Sequence, residues 1–306
     1  MNINHWHDDQ GKPIQAHGGG LLFHEGIWYW YGENKDGRTT QQDGMERVDF
    51  IGVSCYSSSD LEHWTNRGLV LQAEPNDPSH DLHPARVGER PKVIFNASTQ
   101  QFVLWLHTDT ADYMDARAGV AVSQTPIGPF RYLNGVRPYG ADSRDLTVFQ
   151  DDDGLAYLIF SSEHNRNLTI AQLNDDYLSV SQAFVKVRVH PHRNSGRESP
   201  VMFKHDQTYH LITSGCTGWN ANPAEHATAP HPFGSWTVQG NPCRGAGLQT
   251  THGGQPTFAF RSPTHPNEWV LMLDLWNPTD LRGSSYRWLR LHIVGDLAYE
   301  VGEWTS

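Results

Sequence analysis

Short apolar runs, each broken by a polar turn and answered by a second aromatic-rich run, recur along the chain. They appear at Gly20-Leu-Leu-Phe23 with Ile27-Trp-Tyr-Trp-Tyr31, at Val93-Ile-Phe95 with Gln101-Phe-Val-Leu-Trp-Leu106, and at Thr147-Val-Phe149 with Leu155-Ala-Tyr-Leu-Ile-Phe160. Two more follow at Val201-Met-Phe203 with Tyr209-His-Leu-Ile-Thr213 and at Thr257-Phe-Ala-Phe260 with Trp269-Val-Leu-Met-Leu273. The intervening turns carry hairpin chemistry, so each pair reads as a β-hairpin. A more polar stretch follows each of the first four hairpins, and three of these share a shape: Val53 to Trp64, Val120 to Phe130 and Ala227 to Trp236. These predict outer hairpins. Two hairpins make a four-stranded unit, and five units of about 55 to 70 residues fill residues 1–306 as one all-β domain, a five-bladed β-propeller of antiparallel blades. The last unit is expected to borrow an N-terminal strand to close the ring.

Composition supports short strands over long helices. The chain has 11 Trp, 11 Tyr and 12 Phe beside 28 Gly and 18 Pro, a mixture suited to pleated surfaces and tight turns. No apolar run approaches the roughly 18 residues of a membrane helix, so no membrane partner is expected. The first ten residues have neither a basic nor an apolar leader pattern, which reads as cytoplasmic, or as secreted or periplasmic if the sequence is trimmed. Lys and Arg number 23 against 34 Asp and Glu, giving a net charge of −11. An acidic surface repels phosphate backbones, so nucleic acid is not the expected partner; a neutral substrate fits better. Cys55, Cys216 and Cys243 show no CxxC spacing and read as buried free thiols.

In a propeller the innermost strands all start near one mouth of the central channel, so equivalent residues converge there. Just before the five inner strands stand His17, Glu89, Asp145, Glu198 and Gln255, separated by 72, 56, 53 and 57 residues. Carboxylates sharing a cavity repel, so one should hold a proton near neutral pH and serve as a general acid. Glycosidic cleavage needs such an acid and, for inversion, a second group that activates water on the opposite sugar face. Trp28, Tyr29, Trp30, Tyr113, Trp219 and Trp276 lie close in sequence to these positions and offer rings on which sugars stack. The short-spaced pair His190-Pro-His192 lacks HExxH or facial-triad company, so no catalytic metal is expected and no cofactor is required. Asp151-Asp-Asp-Gly154 lacks EF-hand spacing and reads as a hairpin turn; a structural calcium stays open without sequence support.

Seven stretches in order resemble glycoside hydrolase family 43, and within it the exo-β-1,3-galactanases: Gln15-Ala-His-Gly-Gly-Gly20, Trp28-Tyr-Trp-Tyr-Gly-Glu33, Glu89-Arg-Pro-Lys-Val93, Asp142 to Gly154, Glu198-Ser-Pro200, Thr217-Gly-Trp219 and Gly254-Gln-Pro-Thr-Phe258. The resemblance implies Glu198 as general acid, Asp145 as the carboxylate that tunes it, and Glu89 as a ligand of the terminal sugar. Most of the family places an Asp base at the start of the first blade, where this chain has Gln15-Ala-His17. The galactanase subgroup instead carries a Gln in the last blade, matching Gln255, which would position water or react as an imidic acid. By the same resemblance Glu33, Tyr113, Asn167, Thr217, Trp219 and Trp276 would line the non-reducing-end subsite. The implied function is inverting, exo-acting release of galactose from β-1,3-linked galactan or galacto-oligosaccharides. An α-L-arabinofuranosidase or β-xylosidase of the same family, and a propeller that binds sugar without turnover, are the alternatives.

Overall fold

The computed structural model describes residues 6–42, 45–187, 196–265 and 267–304. The His190/His192 pair lies outside them. Five four-stranded antiparallel sheets form the body of the chain. Blade one is built from β1 (His17–His24), β2 (Ile27–Glu33), β5 (Gly52–Ser58) and β6 (Thr65–Gln72), with a small two-stranded ribbon, β3 (Thr39–Gln42) and β4 (Met45–Val48), inserted between its halves. Blade two is β7 (Val87–Asn96), β8 (Gln101–Asp109), β9 (Arg117–Ser123) and β10 (Arg131–Val136). Blade three is β11 (Leu146–Gln150), β12 (Ala156–Ser162), β13 (Asn167–Leu173) and β14 (Val180–Val187). Blade four is β15 (Arg197–His205), β16 (Thr208–Gly215), β17 (Glu225–Ala229) and β18 (Thr237–Gly240). Blade five is β19 (Gln255–Arg261), β20 (Glu268–Leu275), β21 (Ser285–Val294) and β22 (Leu297–Glu303). The five repeated hairpins and the three predicted outer hairpins are all present, and the described residues contain no α-helix.

The burial pattern follows from blade stacking. A middle strand is covered on both faces by neighbouring blades, so β5 and β12 are buried at every residue, whereas the outermost β10 alternates between half-buried and exposed. That is why the second strand of each hairpin reads as a continuous apolar run rather than an alternation. The inner strands β1, β7, β11, β15 and β19 contact one another in turn, and β19 returns to β1. Aromatic clusters fill the wedges. Trp30, Tyr56, Trp64, Tyr286 and Trp288 occupy the seam between blades one and five, and Val103, Trp105, Leu158 and Phe160 that between blades two and three.

Ring closure differs from the expectation. Blade five takes its fourth strand, β22, from the C-terminal end of the chain, and no described N-terminal residue pairs with it. The seam is closed by side chains instead. Trp6 donates its indole N–H to the Tyr286 carbonyl at 2.9 Å and packs edge-on to Trp30. The Tyr286 hydroxyl donates to the Ile14 carbonyl and accepts from the Ala16 amide. At the other end of the ring, Asp151 opens the β11–β12 turn, where its carboxylate accepts from Lys204 at 2.7 Å and from the Tyr209 hydroxyl.

Candidate active site

One backbone device recurs where the inner strands begin. The pairing register slips between His17 and Gly20, between Glu89 and Lys92, between Glu198 and Val201, and between Pro256 and Phe258. In three of these the residue after the predicted site residue adopts a left-handed φ: Gly18 at 59°, Arg90 at 56° and Ser199 at 55°. A bulge with a positive φ re-aims the neighbouring side chain, and for non-glycine residues such strain persists only where surrounding contacts over-determine it. Here those contacts converge on Arg90. Its Nη2 reaches the Ser199 Oγ at 2.6 Å, the Gln255 Oε1 at 2.6 Å and the Asp145 Oδ2 at 3.0 Å, while Nη1 donates to the Pro256 carbonyl at 2.8 Å. A single guanidinium thus ties blades two, three, four and five together at the mouth.

Around it opens a cavity of about 410 Å³ lined by Glu33, Glu89, Asp145, Glu198 and Gln255, with Tyr113, Trp219 and Trp276 among the other walls. Eight of the ten sequence-predicted site residues therefore share one space. Gln255 is held by three bonds: Oε1 accepts from Arg90 and from the Trp276 indole at 2.9 Å, and Nε2 donates to Glu198 Oε1 at 2.8 Å. Two N–H donors facing one end of the amide fix its orientation. Asp145 Oδ2 also accepts from the Ser199 amide at 3.0 Å and the Ser199 hydroxyl at 2.9 Å.

The carboxyls are pushed apart in acidity. Burial, then the nearby charges of Asp145 and Glu89, lift Glu198 to about 8 against the opposing pull of Arg90 and the Cys216 thiol. At neutral pH it is mostly a carboxylic acid. Burial also acts to raise Glu89, but His107, Lys35 and the Tyr113 hydroxyl outweigh it and hold Glu89 ionised, at about 2. Tyr113 donates to Glu89 at 2.7 Å, and His107 Nδ1 lies 3.4 Å from the same carboxylate. Burial lowers His107, yet Asp109 at 3.1 Å and Glu89 together raise it to about 9, so this imidazole is a fixed cation. Burial, followed by Glu89 and Asp274, lifts Glu33 to about 7, against the pull of Lys35, whose Nζ sits 2.7 Å away. The same ammonium stands 5.8 and 5.7 Å from the Trp219 and Trp276 rings, within cation–π range.

Several expectations need correction. Asn167 begins β13, the third strand out from the axis, and donates to Glu163 at 2.5 Å rather than lining the cavity. Asn165, two residues earlier in the turn, reaches Glu198 Oε2 at 3.3 Å instead. Thr217 is exposed and knits its own loop, donating to the Asn220 carbonyl and accepting from Asn222; its neighbours Gly218 and Trp219 line the cavity. Trp28, Tyr29 and Trp30 point into the blade wedges, because successive β2 side chains stand on the two faces of blade one, Trp28 and Trp30 toward blade five and Tyr29 toward blade two. His17 is fully buried, stacked on Tyr286 and 3.9 Å from Asp274, and does not line the cavity. Reading only strand starts missed Arg90, Lys35 and His107.

Neighbouring pieces shape the opening. Arg47 and Val48 of the ribbon line the cavity together with Leu281, whose turn packs beside β4. The Leu281 turn is anchored to blade one, since Arg282 donates to the Asp36 and Gly37 carbonyls at 3.1 and 3.3 Å and its own carbonyl accepts from Gln15.

Comparison with known proteins agrees with this geometry. The chain is 35% identical to a family 43 β-1,3-galactosidase solved with galactodeoxynojirimycin, over 98% of both chains, with a TM-score of 0.86. It is 34% identical to an exo-β-1,3-galactanase from Phanerochaete chrysosporium solved with galactose, over 97% of this chain and 65% of that one, with a TM-score of 0.84. A curated relative, a β-D-galactofuranosidase from Aspergillus niger, is 28% identical over 231 residues, which is 70% of this chain and 64% of that protein's length. The sequence profile of glycosyl hydrolases family 43 matches residues 45–266, and the chain belongs to that family.

Proposed function

We propose that the protein is an inverting, exo-acting glycoside hydrolase that releases galactose from β-1,3-linked galactan or galacto-oligosaccharides. The observation that carries the catalytic reading is Glu198, a carboxyl held up to about 8 in the wall of a cavity also lined by the ionised Glu89. A proton donor and a permanent carboxylate in one sugar-sized space are what glycosidic cleavage requires. The choice of galactose rests on the β-1,3-galactosidase likeness over nearly the full length of both chains. Blade one also lacks the strand-start carboxylate expected of arabinofuranosidases and xylosidases: Gln15 is buried against Lys35 and Arg282. The ribbon and the anchored Leu281 turn add walls to the cavity beyond the five strand starts, which suits a chain end better than a chain interior.

In the proposed cycle the terminal sugar lies against Trp219 and Trp276, with its hydroxyls meeting Glu33, Lys35, Glu89 and Tyr113. Glu198 gives its proton to the glycosidic oxygen as the C1–O bond breaks, and Asp145 keeps that proton in place beforehand. Inversion needs acid and base roughly 6.5–9.5 Å apart, whereas Gln255 Nε2 touches Glu198 at 2.8 Å. The entering sugar therefore has to break this bond. Gln255 is held by Arg90 and Trp276, so Glu198 is the group that turns, leaving the Gln255 amide to orient a water whose oxygen bonds to C1 as the leaving group departs and whose proton passes to bulk water.

A specific observation favours a second assignment of the base: Glu89 is the cavity carboxylate held ionised by its own partners. Azide rescue of Glu89→Ala but not of Gln255→Ala would move the base role to Glu89. The function itself is tested by hydrolysis of β-1,3-, β-1,4- and β-1,6-galactobiose and of aryl arabinofuranosides and galactofuranosides, with the first-formed anomer read by proton NMR. The expected outcome is α-galactose from β-1,3-galactobiose. Turnover confined to furanosides would overturn the substrate, and initial β-galactose would overturn inversion.

A further inference from the structure

Among residues that do not line the cavity, three side chains of different donor chemistry meet. Cys243 Sγ, His252 Nε2 and Glu300 Oε2 all lie within 4.8 Å of one another, and His252 Nε2 is 2.5 Å from Glu300 Oε2. They come from three separate pieces of chain: the loop after β18, the turn before β19, and β22. The spacings of 9 and 48 residues match no short-range ligand motif, which is why the sequence pointed to no metal.

The surrounding backbone is built to hold these groups. Thr251 and His252 are consecutive non-glycine residues at positive φ, 48° and 56°, a strained conformation that persists only where surrounding contacts hold it. The strained turn is fastened at both ends. Thr251 Oγ1 donates to the Asn222 carbonyl at 2.6 Å, and Arg287 donates to the His252 carbonyl at 2.6 Å. Gly247 makes room for the imidazole: a Cβ there would fall 2.0 Å from His252 Nε2, a contact no side chain permits. Glu300 is oriented in turn, because Oε2 accepts from the Arg244 amide at 3.1 Å while its own amide donates to the Pro242 carbonyl at 2.9 Å. Cys243 is buried and accepts no disulfide partner. A thiol, an imidazole and a carboxylate, with a backbone N–H ordering the carboxylate, form the ligand set and outer shell that zinc selects over calcium or magnesium.

We propose that Cys243, His252 and Glu300 form a site for a zinc-class divalent transition metal, with water completing a four-coordinate shell. Binding replaces the thiol proton of Cys243, which is released to solvent; the proton between His252 Nε2 and Glu300 Oε2 is displaced as well, carried on Nδ1 of the neutral imidazole with any excess released to solvent, so that both atoms are free to bond the metal. His252 lies three residues before Gln255, so metal binding fixes the turn that leads into the cavity.

The test uses the full chain after chelator treatment and dialysis. Titration with Co²⁺ should give a thiolate-to-cobalt charge-transfer band that saturates at one equivalent and is displaced by Zn²⁺. Zn²⁺ should also raise the Tm. Cys243→Ala should abolish the band, Glu300→Gln should weaken Co²⁺ binding by at least about tenfold, and Cys216→Ser should leave both intact. The other ligand-rich cluster among the described residues, Glu89 with His107 and Asp145, contains no thiol and is silent in this band. Absence of the band in the wild-type chain, or its survival in Cys243→Ala, overturns the site. X-ray absorption on the wild-type zinc form supplies a readout that needs no variant: one sulfur in the metal shell supports the proposal, and a shell of nitrogen and oxygen alone refutes it.

Discussion

Replacing Glu198 with Gln should make the protein more stable and nearly inactive, with the two effects following different pH dependences. Holding the Glu198 carboxyl at about 8 instead of its ordinary 4.5 means that its ionised form is disfavoured in the folded chain. At about 1.4 kcal/mol per pH unit, that is an upper bound of about 5 kcal/mol. The cost is shared with Asp145 and Glu89, so about 1–3 kcal/mol is the realistic gain from a neutral amide. The sign follows from linkage. The folded chain keeps this proton while the unfolded chain loses it above 4.5, so wild-type stability falls as pH rises from about 4.5 to 8. The variant has no such proton to lose. Its advantage should vanish near pH 4 and be complete at pH 9, where roughly 2–4 °C per kcal/mol implies a Tm higher by several degrees. The new amide oxygen can still accept from Gln255, and its NH₂, standing where Oε2 accepts from Asn165 Nδ2, can donate to the otherwise unpartnered Asn165 Oδ1 once that amide turns over. Hydrolysis of unactivated disaccharide should drop by about 10² to 10⁴, the usual contribution of a general acid, with a smaller loss on aryl glycosides. Thermal melts at pH 4, 7 and 9 beside turnover of β-1,3-galactobiose decide the matter. A Tm difference independent of pH, or activity within about tenfold of wild type, refutes the reasoning.

Asp145→Asn removes a charge that raises Glu198, so the basic limb of the pH–rate profile should move to lower pH; an unchanged profile would show that the two carboxyls do not interact. Trp276→Phe keeps a ring in the cavity wall but deletes the N–H donated to Gln255, so kcat should fall more than KM rises if that bond positions the amide, whereas a KM effect alone would reduce Trp276 to a stacking surface. His107→Gln withdraws the fixed cation beside Glu89, whose pKa should rise from about 2; KM should then climb on the acidic side of the profile, and a pH-independent KM would separate Glu89 from sugar binding.

The blades were legible because each one repeats the same accounting: a strand covered on both faces is buried along most of its length and draws mostly apolar residues, so five hairpins announce themselves even without helical or alternating periodicity. Convergence at the mouth was legible for the same reason. Glu89, Asp145, Glu198 and Gln255 occupy equivalent places, and topology alone brings them together. Asn167 and Thr217 failed for want of such a constraint. They lie on a third strand and in a loop, where one or two residues of register decide whether a side chain reaches the axis.

The groups that were missed obey a rule the sequence already contained. In an antiparallel hairpin the second strand ends where the first begins, so its last residues return to the same mouth. Glu33 pairs with His17, His107 with Glu89, Ser214 with Glu198 and Asp274 with Gln255. Counting from each predicted site residue across its hairpin would have found His107 directly. Lys35 follows two residues beyond Glu33. Arg90 required something further. It stands between Glu89 and Pro91, and in a regular strand it would point away from its neighbour's side. Only the bulge, with φ at 56°, swings it across the channel to Asp145, Ser199 and Gln255. The strained residue is therefore the one that couples four blades, and it sets the electrostatics of Glu198 by opposing the shift that Asp145 and burial impose. The fold supplies the ring of carboxyls, but the distinct acidity of Glu198 and the fixed amide of Gln255 depend on where that bulge directs one guanidinium.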